Sequence, residues 1–304
     1  MTALQTATKL DVRPASGYTG AEIHGLDLRE TLSEATVQAI RETLLKWKVV
    51  FFRDQQLGHA EHIAFARRFG KVTPSHPHVP GFSAEFPEIL PIDSRRYPRG
   101  TVTYDRNWHS DVTHLVNPVA ASILRAEIVP AYGGDTQWTN LVAAYEHLPE
   151  PLKDFANRLR VRHQFPDAFK NYKSIDDAIR RDPRASIHPL VRVHPETGER
   201  ILFASPGFAG VAPEIIGFTP KQTQRLLDLF WQEITKPEYT VRFRWEAGSV
   251  AFWDNRSTCH LGPSDVTDPD AVRALYRVTL EGDVPVGVDG LPSESLSGEP
   301  FLGI

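Results

Sequence analysis

Val241-Arg242-Phe243-Arg244-Trp245, followed after Glu246-Ala247-Gly248-Ser249 by Val250-Ala251-Phe252-Trp253, carries two strand signatures in succession. In its first half apolar and charged residues alternate, the period-two pattern of a strand with one buried face; its second half is a short unbroken apolar run, the pattern of a strand buried on both faces. The same signatures recur upstream. Val49 to Phe52 reads as a buried strand, and Ala120 to Ile128 and Gly134 to Trp138 as two more. His188 to Val193 and Arg200 to Ala204 flank Pro195-Glu196-Thr197-Gly198 as a hairpin. Val12 to Leu28 is read as short strands joined by turns at Gly17, Gly20 and Gly25.

Helical signals are fewer. Ser33 to Trp47 carries apolar residues at Val37, Ile40, Leu44 and Leu45, with Thr31 and Glu34 at capping-box spacing. Ala60 to Phe69 reads as a second helix closed by Gly70, and Leu141 to Ala156 as a helix broken at Pro149 and Pro151. Tyr172 to Pro183 is a charged, helix-forming insert, and Thr219-Pro220 with Gln222 starts a helix running to about Ile234. Thr73 to Pro98 reads as a long loop, which in a compact domain is usually functional or disordered. Many short strands without repeating βα units exclude a doubly wound sheet. The expectation is a mainly β sandwich or barrel with helical inserts, one domain over residues 1–304 with its insert around 141–185.

The bulk numbers narrow the function. Of 304 residues 41% are hydrophobic and the net charge is -4, so no basic excess draws nucleic acid or anionic lipid. The single cysteine, Cys259, excludes an internal disulfide and a cysteine cage for zinc, and suits a reducing cytoplasm. It is read as a small buried hydrophobe or, less commonly, a catalytic thiol. The first residues hold no signal-peptide core, and no run of about 18 apolar residues occurs. A cytoplasmic protein bound to neither membrane nor nucleic acid is expected.

Chemistry begins just beyond the opening stretch, at His260. Upstream, Trp108-His109-Ser110-Asp111 holds a His-X-Asp pair, and residues two apart on an extended segment point to one side. Two histidines and one carboxylate can grip a non-haem Fe(II) on one face and leave the opposite positions open. Such a set also serves catalytic zinc, and an isolated triplet is more often a solvated or satisfied histidine. Arg273 and Arg277, four apart on an extended strand, aim two cations the same way, which calls for an acidic co-substrate and an acidic substrate. His59, His62, His114, His147, His163 and His194 are read as surface or satisfied interior groups, and Trp108 and Trp253 as core.

Taken together, Trp108-His109-Ser110-Asp111-Val112-Thr113, Gly133-Gly134-Asp135-Thr136, His188-Pro189-Leu190-Val191-Arg192, Trp253-Asp254-Asn255-Arg256 and Gly282-Asp283 resemble the Fe(II)- and 2-oxoglutarate-dependent dioxygenases, in particular the taurine dioxygenase group. That resemblance implies a double-stranded β-helix, or jelly roll. It implies His109, Asp111 and His260 as iron ligands, with no catalytic residue beyond them, and Arg273 with Thr136 on the distal carboxylate of 2-oxoglutarate. On the substrate side it implies His76, in His76-Pro77, Asp105, Val112, Phe169, Phe208 and Arg277; the two phenylalanines are equally readable as core. The resemblance also implies a homo-oligomer acting on a small anionic substrate and O2.

Two departures bear on the substrate. Val79 stands where taurine enzymes have a tyrosine, and Asp105 where they have an asparagine, both positions that meet the amine end of taurine. Leu190 to Arg200 and Gly282-Asp283-Val284-Pro285-Val286 resemble the alkylsulfatase branch of the same family. The first expectation is hydroxylation of the carbon next to the sulfur of a sulfonate such as taurine, releasing sulfite, an aldehyde, succinate and CO2. The alternatives are an alkyl sulfate ester or a phenoxy acid as substrate, and, in other classes, a zinc hydrolase or a non-catalytic binding module; Arg273 with Thr136 argues against the hydrolase, and the intact set of three ligands with Arg273 against the binding module.

Overall fold

The computed structural model describes residues 9–96, 107–165, 173–209, 213–262 and 265–304; Asp105 and Phe169 lie outside the described residues. The largest sheet has seven strands in the order β1 (Asp11–Pro14), β2 (Ala21–His24), β3 (Val49–Phe52), β12 (Val250–Asp254), β5 (Ala121–Ile128), β14 (Ala274–Leu280) and β4 (Leu90–Asp93). Only β2 and β3 pair in parallel; the other neighbours are antiparallel. A three-stranded sheet, β11 (Thr240–Phe243), β6 (Thr136–Asn140) and β13 (Thr258–Leu261), packs on one face of it. Two smaller sheets complete the strands: β10 (Arg200–Leu202), β9 (Val191–Val193) and β15 (Val286–Gly287), then β16 (Glu294–Ser297), β8 (Ala185–Pro189) and β7 (Arg160–Gln164). Strands distant in sequence lie side by side, and the whole is a jelly roll with few helices.

The unbroken apolar runs follow from burial on two sides. Val49 and Phe51 of β3, with Ala251 and Trp253 of β12, face the three-stranded sheet and meet Trp138, Val241, Phe243 and Trp245. Phe51 stacks on Phe243 with centroids 4.1 Å apart. Their neighbours Val50, Phe52, Val250 and Phe252 point the other way, onto α1 (Glu34–Trp47) and α2 (His59–Arg67). Each such side chain contributes roughly 1.5–3 kcal/mol on burial. In β14 the alternation sends Tyr276, Val278 and Leu280 to the helix layer and Leu275 to the interior between the sheets, and places Arg277 in register with Leu124, another interior residue.

A second core holds the helical insert, with α3 (Leu141–Glu146), α4 (Glu150–Ala156) and α7 (Pro220–Ile234) packed on β9 and β10. Asn140 caps α3 through its side chain, and Pro149 opens α4, so the break read at Pro149 is a true interruption. α5 (Lys173–Arg181) and the short α6 (Pro206–Ala209) are the remaining α-helices among the described residues. Thr219 and Gln222 form the expected reciprocal cap of α7.

Several boundaries differ from the sequence reading. α1 is capped by Ser33, whose hydroxyl accepts from the Thr36 amide, while Glu34 pairs with Arg68; Thr31 and Glu34 are no capping box. α2 ends at Arg67 without a left-handed glycine at Gly70. The loop expected from Thr73 holds β4, a four-residue strand hidden by Pro91 in its sequence, and His188 to Val193 divides into β8 and β9 at Leu190.

Candidate metal centre

His109 and His260 are brought together by backbone pairing. The amide of each donates to the carbonyl of the other, at 2.9 and 2.7 Å, which makes them a directly opposed antiparallel pair. Opposed residues project side chains to one face, and the two imidazole centroids lie 4.2 Å apart. β13 is the strand that carries His260, and β6 beside it carries Thr136. The chain approaches His109 closely on the other side: a Cβ added at Gly207 would lie 2.7 Å from the His109 Cβ, so the N-terminal turn of α6 requires a glycine there.

Asp111 follows at the entry of a turn in which Val112 takes a left-handed backbone, φ 47°. For a β-branched residue that conformation costs about 1–3 kcal/mol and persists only where the surroundings impose it. The Val112 side chain packs with Leu115, Val119 and Phe301. Asp111 is turned to the histidines, its Oδ1 3.8 Å from His260 Nε2. One ligand atom from each of His109, Asp111 and His260 lies within 4.8 Å of the others, the single such trio of metal-ligating groups among the described residues.

The protonation states suit a divalent cation. Burial works against ionising Asp111, yet Arg277, His260, His109 and the Ser122 hydroxyl together hold its carboxyl far below the ordinary range. Burial, reinforced by His109, keeps His260 neutral, the form in which imidazole ligates. His109 Nδ1 lies 2.8 Å from the Asn107 carbonyl, an acceptor, so Nδ1 carries a proton and Nε2 is the nitrogen suited to ligation. His260 keeps a buried Nδ1 with no protein partner. Two imidazoles, that of His260 held neutral, and an ionised carboxylate in one cluster match the donor set of Fe(II).

Arg277 is buried and paired with Asp111 Oδ1. Next to it lies His76, also buried, kept neutral by burial and then by Arg277. His76 is 5.7 Å between centroids from Phe165, which with Val79, Leu90, Ile175 and Phe208 forms a compact apolar wall. Phe208 is 6.3 Å between centroids from His109, so the wall reaches the metal ligands.

Arg273 enters from the start of β14, where its backbone pairs with Ser94. Its Nε donates to the Gly134 carbonyl at 3.0 Å. Gly133 and Gly134 both have positive φ, and a Cβ on Gly134 would press on the Arg273 side chain at 3.1 Å, so the glycine pair sets how close the guanidinium comes to β6. Thr136 is buried and its Oγ accepts from Trp245 Nε1 at 2.9 Å, which leaves the hydroxyl proton to be donated.

Other residues depart from the sequence reading. Cys259 is buried among the insert core, and burial pushes its thiol up to about 12, which removes the catalytic-thiol reading. His114 was expected to be exposed or satisfied; it is fully buried and neither ring nitrogen has a protein partner. Trp253 is core as expected, packed 5.6 Å from Trp138, and its ring also lies 5.0 Å from His260. The sequence reading missed Ser122 and Asn255, which bind Asp111; Asn255 sits inside the Trp253-Asp254-Asn255-Arg256 motif, where it drew no role.

This geometry agrees with comparisons to known proteins. The profile of a family described as taurine catabolism dioxygenase TauD, TfdA family, matches residues 11–279. The chain belongs to the TauD/TfdA family. It is 40% identical to an alpha-ketoglutarate-dependent sulfate ester dioxygenase of Pseudomonas putida, over 93% of each chain. To an alkylsulfatase of Acinetobacter baylyi it is 37% identical, over 97% of this chain and 92% of that one. A crystal structure from Burkholderia xenovorans described as a putative alpha-ketoglutarate-dependent taurine dioxygenase superposes with a TM-score of 0.83 at 49% identity, covering 96% and 97% of the two chains. As a TauD/TfdA member the protein is a 2-oxoglutarate-dependent non-haem iron dioxygenase, with Fe(II) and 2-oxoglutarate as cofactors, which sets aside the hydrolase and binding-module readings. No described helix is long and apolar enough to cross a membrane.

Proposed function

We propose that the protein oxidises the ester carbon of an alkyl sulfate, with His109, Asp111 and His260 holding Fe(II). The observation that carries this reading is the apolar wall of Val79, Leu90, Phe165, Ile175 and Phe208 beside His76 and Arg277. An alkyl tail gains from each methylene buried on such a wall, about 0.8 kcal/mol. A cationic amine gains nothing there, because Val79 supplies no hydroxyl. The two curated relatives described as sulfate ester dioxygenase and alkylsulfatase support the same class.

When bound, Fe(II) and 2-oxoglutarate supply the oxidising power; the chain supplies placement. Arg273 and the Thr136 hydroxyl take the distal carboxylate of the keto acid, a planar fork and one oriented donor. Arg277 and neutral His76 take the sulfate oxygens, and the wall holds the tail so that the ester CH2 is the carbon presented. Hydroxylation of that carbon gives an adduct that collapses to an aldehyde and inorganic sulfate, while 2-oxoglutarate leaves as succinate and CO2. We further propose that the chain acts as one domain, since β5, β12 and β14 draw on distant parts of it to build the site.

A sulfonate such as taurine is the second reading, favoured by the solved relative described as a putative taurine dioxygenase. The two differ in product: a sulfate ester releases sulfate, a sulfonate releases sulfite. Incubation with Fe(II), 2-oxoglutarate and O2 and either dodecyl sulfate, hexyl sulfate or taurine, followed by ion chromatography, tests the proposal. Sulfate and succinate in equal amounts from the alkyl sulfates support it; sulfite from taurine with inert alkyl sulfates overturns it.

A further inference from the structure

Asp111 is held by a directed chain of buried hydrogen bonds that the iron-ligand role does not by itself require. Trp253 Nε1 donates to Asn255 Oδ1 at 2.8 Å, Asn255 Nδ2 donates to Ser122 Oγ at 2.7 Å, and Ser122 Oγ donates to Asp111 Oδ2 at 2.6 Å. The direction follows from the donor inventory. An indole N–H can only donate, so it fixes which end of the Asn255 amide is oxygen; the amide N–H2 can only donate, so Ser122 accepts from it and its own proton goes to the carboxylate. The Asp111 amide closes the loop on Asn255 Oδ1 at 3.4 Å. Trp253, Asn255, Ser122 and Asp111 are all buried at 2% exposure or less, so water does not compete for these contacts.

We propose that Ser122 and Asn255 are positioning residues that commit Oδ2 of Asp111 to the protein and present Oδ1 alone to the metal. The inference rests on reading His109, Asp111 and His260 as the ligands. Its consequence is a count of positions. A carboxylate offering both oxygens to a six-coordinate ion would, with two histidines, leave two positions, both filled by a chelating keto acid. One offering a single oxygen leaves three. Oδ1 is the oxygen on the side of His260, where it also meets the Arg277 guanidinium, whereas Oδ2 is taken by Ser122 of β5, in keeping with this division.

The device is built on strand register. Ser122 of β5 lies directly opposite Trp253 of β12, and Asn255 follows one residue past the end of that strand. A slip of one residue would turn Ser122 to the helix face and leave Oδ2 free.

The test is an anaerobic titration of metal-free Ser122→Ala with Fe(II), then with 2-oxoglutarate, reading metal affinity and the visible charge-transfer band of the chelated keto acid, beside the Tm of the metal-free protein. Expected are Fe(II) binding about tenfold weaker than wild type, within the range for loss of a group behind a ligand, a diminished or shifted band, and a Tm lowered far less than the affinity. Ser122→Thr, which keeps the hydroxyl, restores both affinity and band. Wild-type affinity and band in Ser122→Ala, or a threonine variant as defective as the alanine one, overturns the proposal. A wild-type protein that binds no stoichiometric Fe(II) overturns instead the ligand assignment on which it rests.

Discussion

At the scale of single residues, two contacts make the site sensitive to changes that leave its ligands untouched. Gly207 lies where any Cβ would meet the His109 Cβ at 2.7 Å, a methylene carbon fixed to the backbone that no side-chain rotation moves away. Gly207→Ala is expected to weaken Fe(II) binding by an order of magnitude or more while secondary structure, read by circular dichroism, stays unchanged. Val79 bears on selectivity. It sits in the apolar wall beside Phe165 and Phe208, so Val79→Tyr introduces a hydroxyl and removes room for an alkyl tail. The ratio of kcat/KM for hexyl sulfate over taurine is expected to fall at least tenfold, measured by succinate release; an unchanged ratio would show that the wall does not meet the substrate.

At the scale of elements, what could be read from the sequence was what local chemistry decides. The strands β3 and β12 were legible because burial on two faces demands unbroken apolar runs, and α7 because Thr219, Pro220 and Gln222 satisfy the first amides of a helix. Thr219→Ala is expected to cost about 1 kcal/mol, the usual worth of such a cap, in urea unfolding followed at equilibrium. The cap of α1 was misplaced because Thr31 and Ser33 both precede Glu34, and only the path of the chain selects Ser33. β4 and β13 were missed for a related reason: Leu-Pro-Ile-Asp and Thr-Cys-His-Leu carry no periodic signal of four residues' length and become strands only through pairing with β14 and β6. That His109, Asp111 and His260 converge was legible from the His-X-Asp pair and the distal histidine, whereas Ser122 and Asn255 were not, since a serine in one strand and an asparagine after another acquire a role only when register brings them to the same aspartate.

At the scale of the whole molecule, the interior stores several imidazoles in neutral form. Burial lowers His62 and His188 to about 3, and His163 well below its ordinary range, each far from the 6.5 of a free histidine. A histidine whose folded pKa is lowered takes up its proton first in the unfolded chain, so folding loses stability as pH falls below about 6.5. Each contributes up to about 1.4 kcal/mol per pH unit until its folded pKa is reached. Asp111 and Asp254, both depressed, add a second loss that begins only below the ordinary carboxylate pKa of 3.8. The Tm is therefore expected to fall steeply between pH 6.5 and 4.5, before the carboxylates titrate. A Tm flat across that window would mean that the buried histidines are protonated in the folded state.

On the reading proposed above, His109, Asp111 and His260 on one jelly roll hold Fe(II) with its keto acid beside a bound alkyl sulfate. The most direct test of that reading is an anaerobic titration of the metal-free protein with Fe(II) and 2-oxoglutarate, followed by addition of hexyl sulfate. A weak visible band on adding the keto acid, and a further shift of that band on adding the alkyl sulfate but not taurine, is the predicted result. A band that never forms, or one that taurine shifts and the alkyl sulfate leaves unmoved, would contradict it.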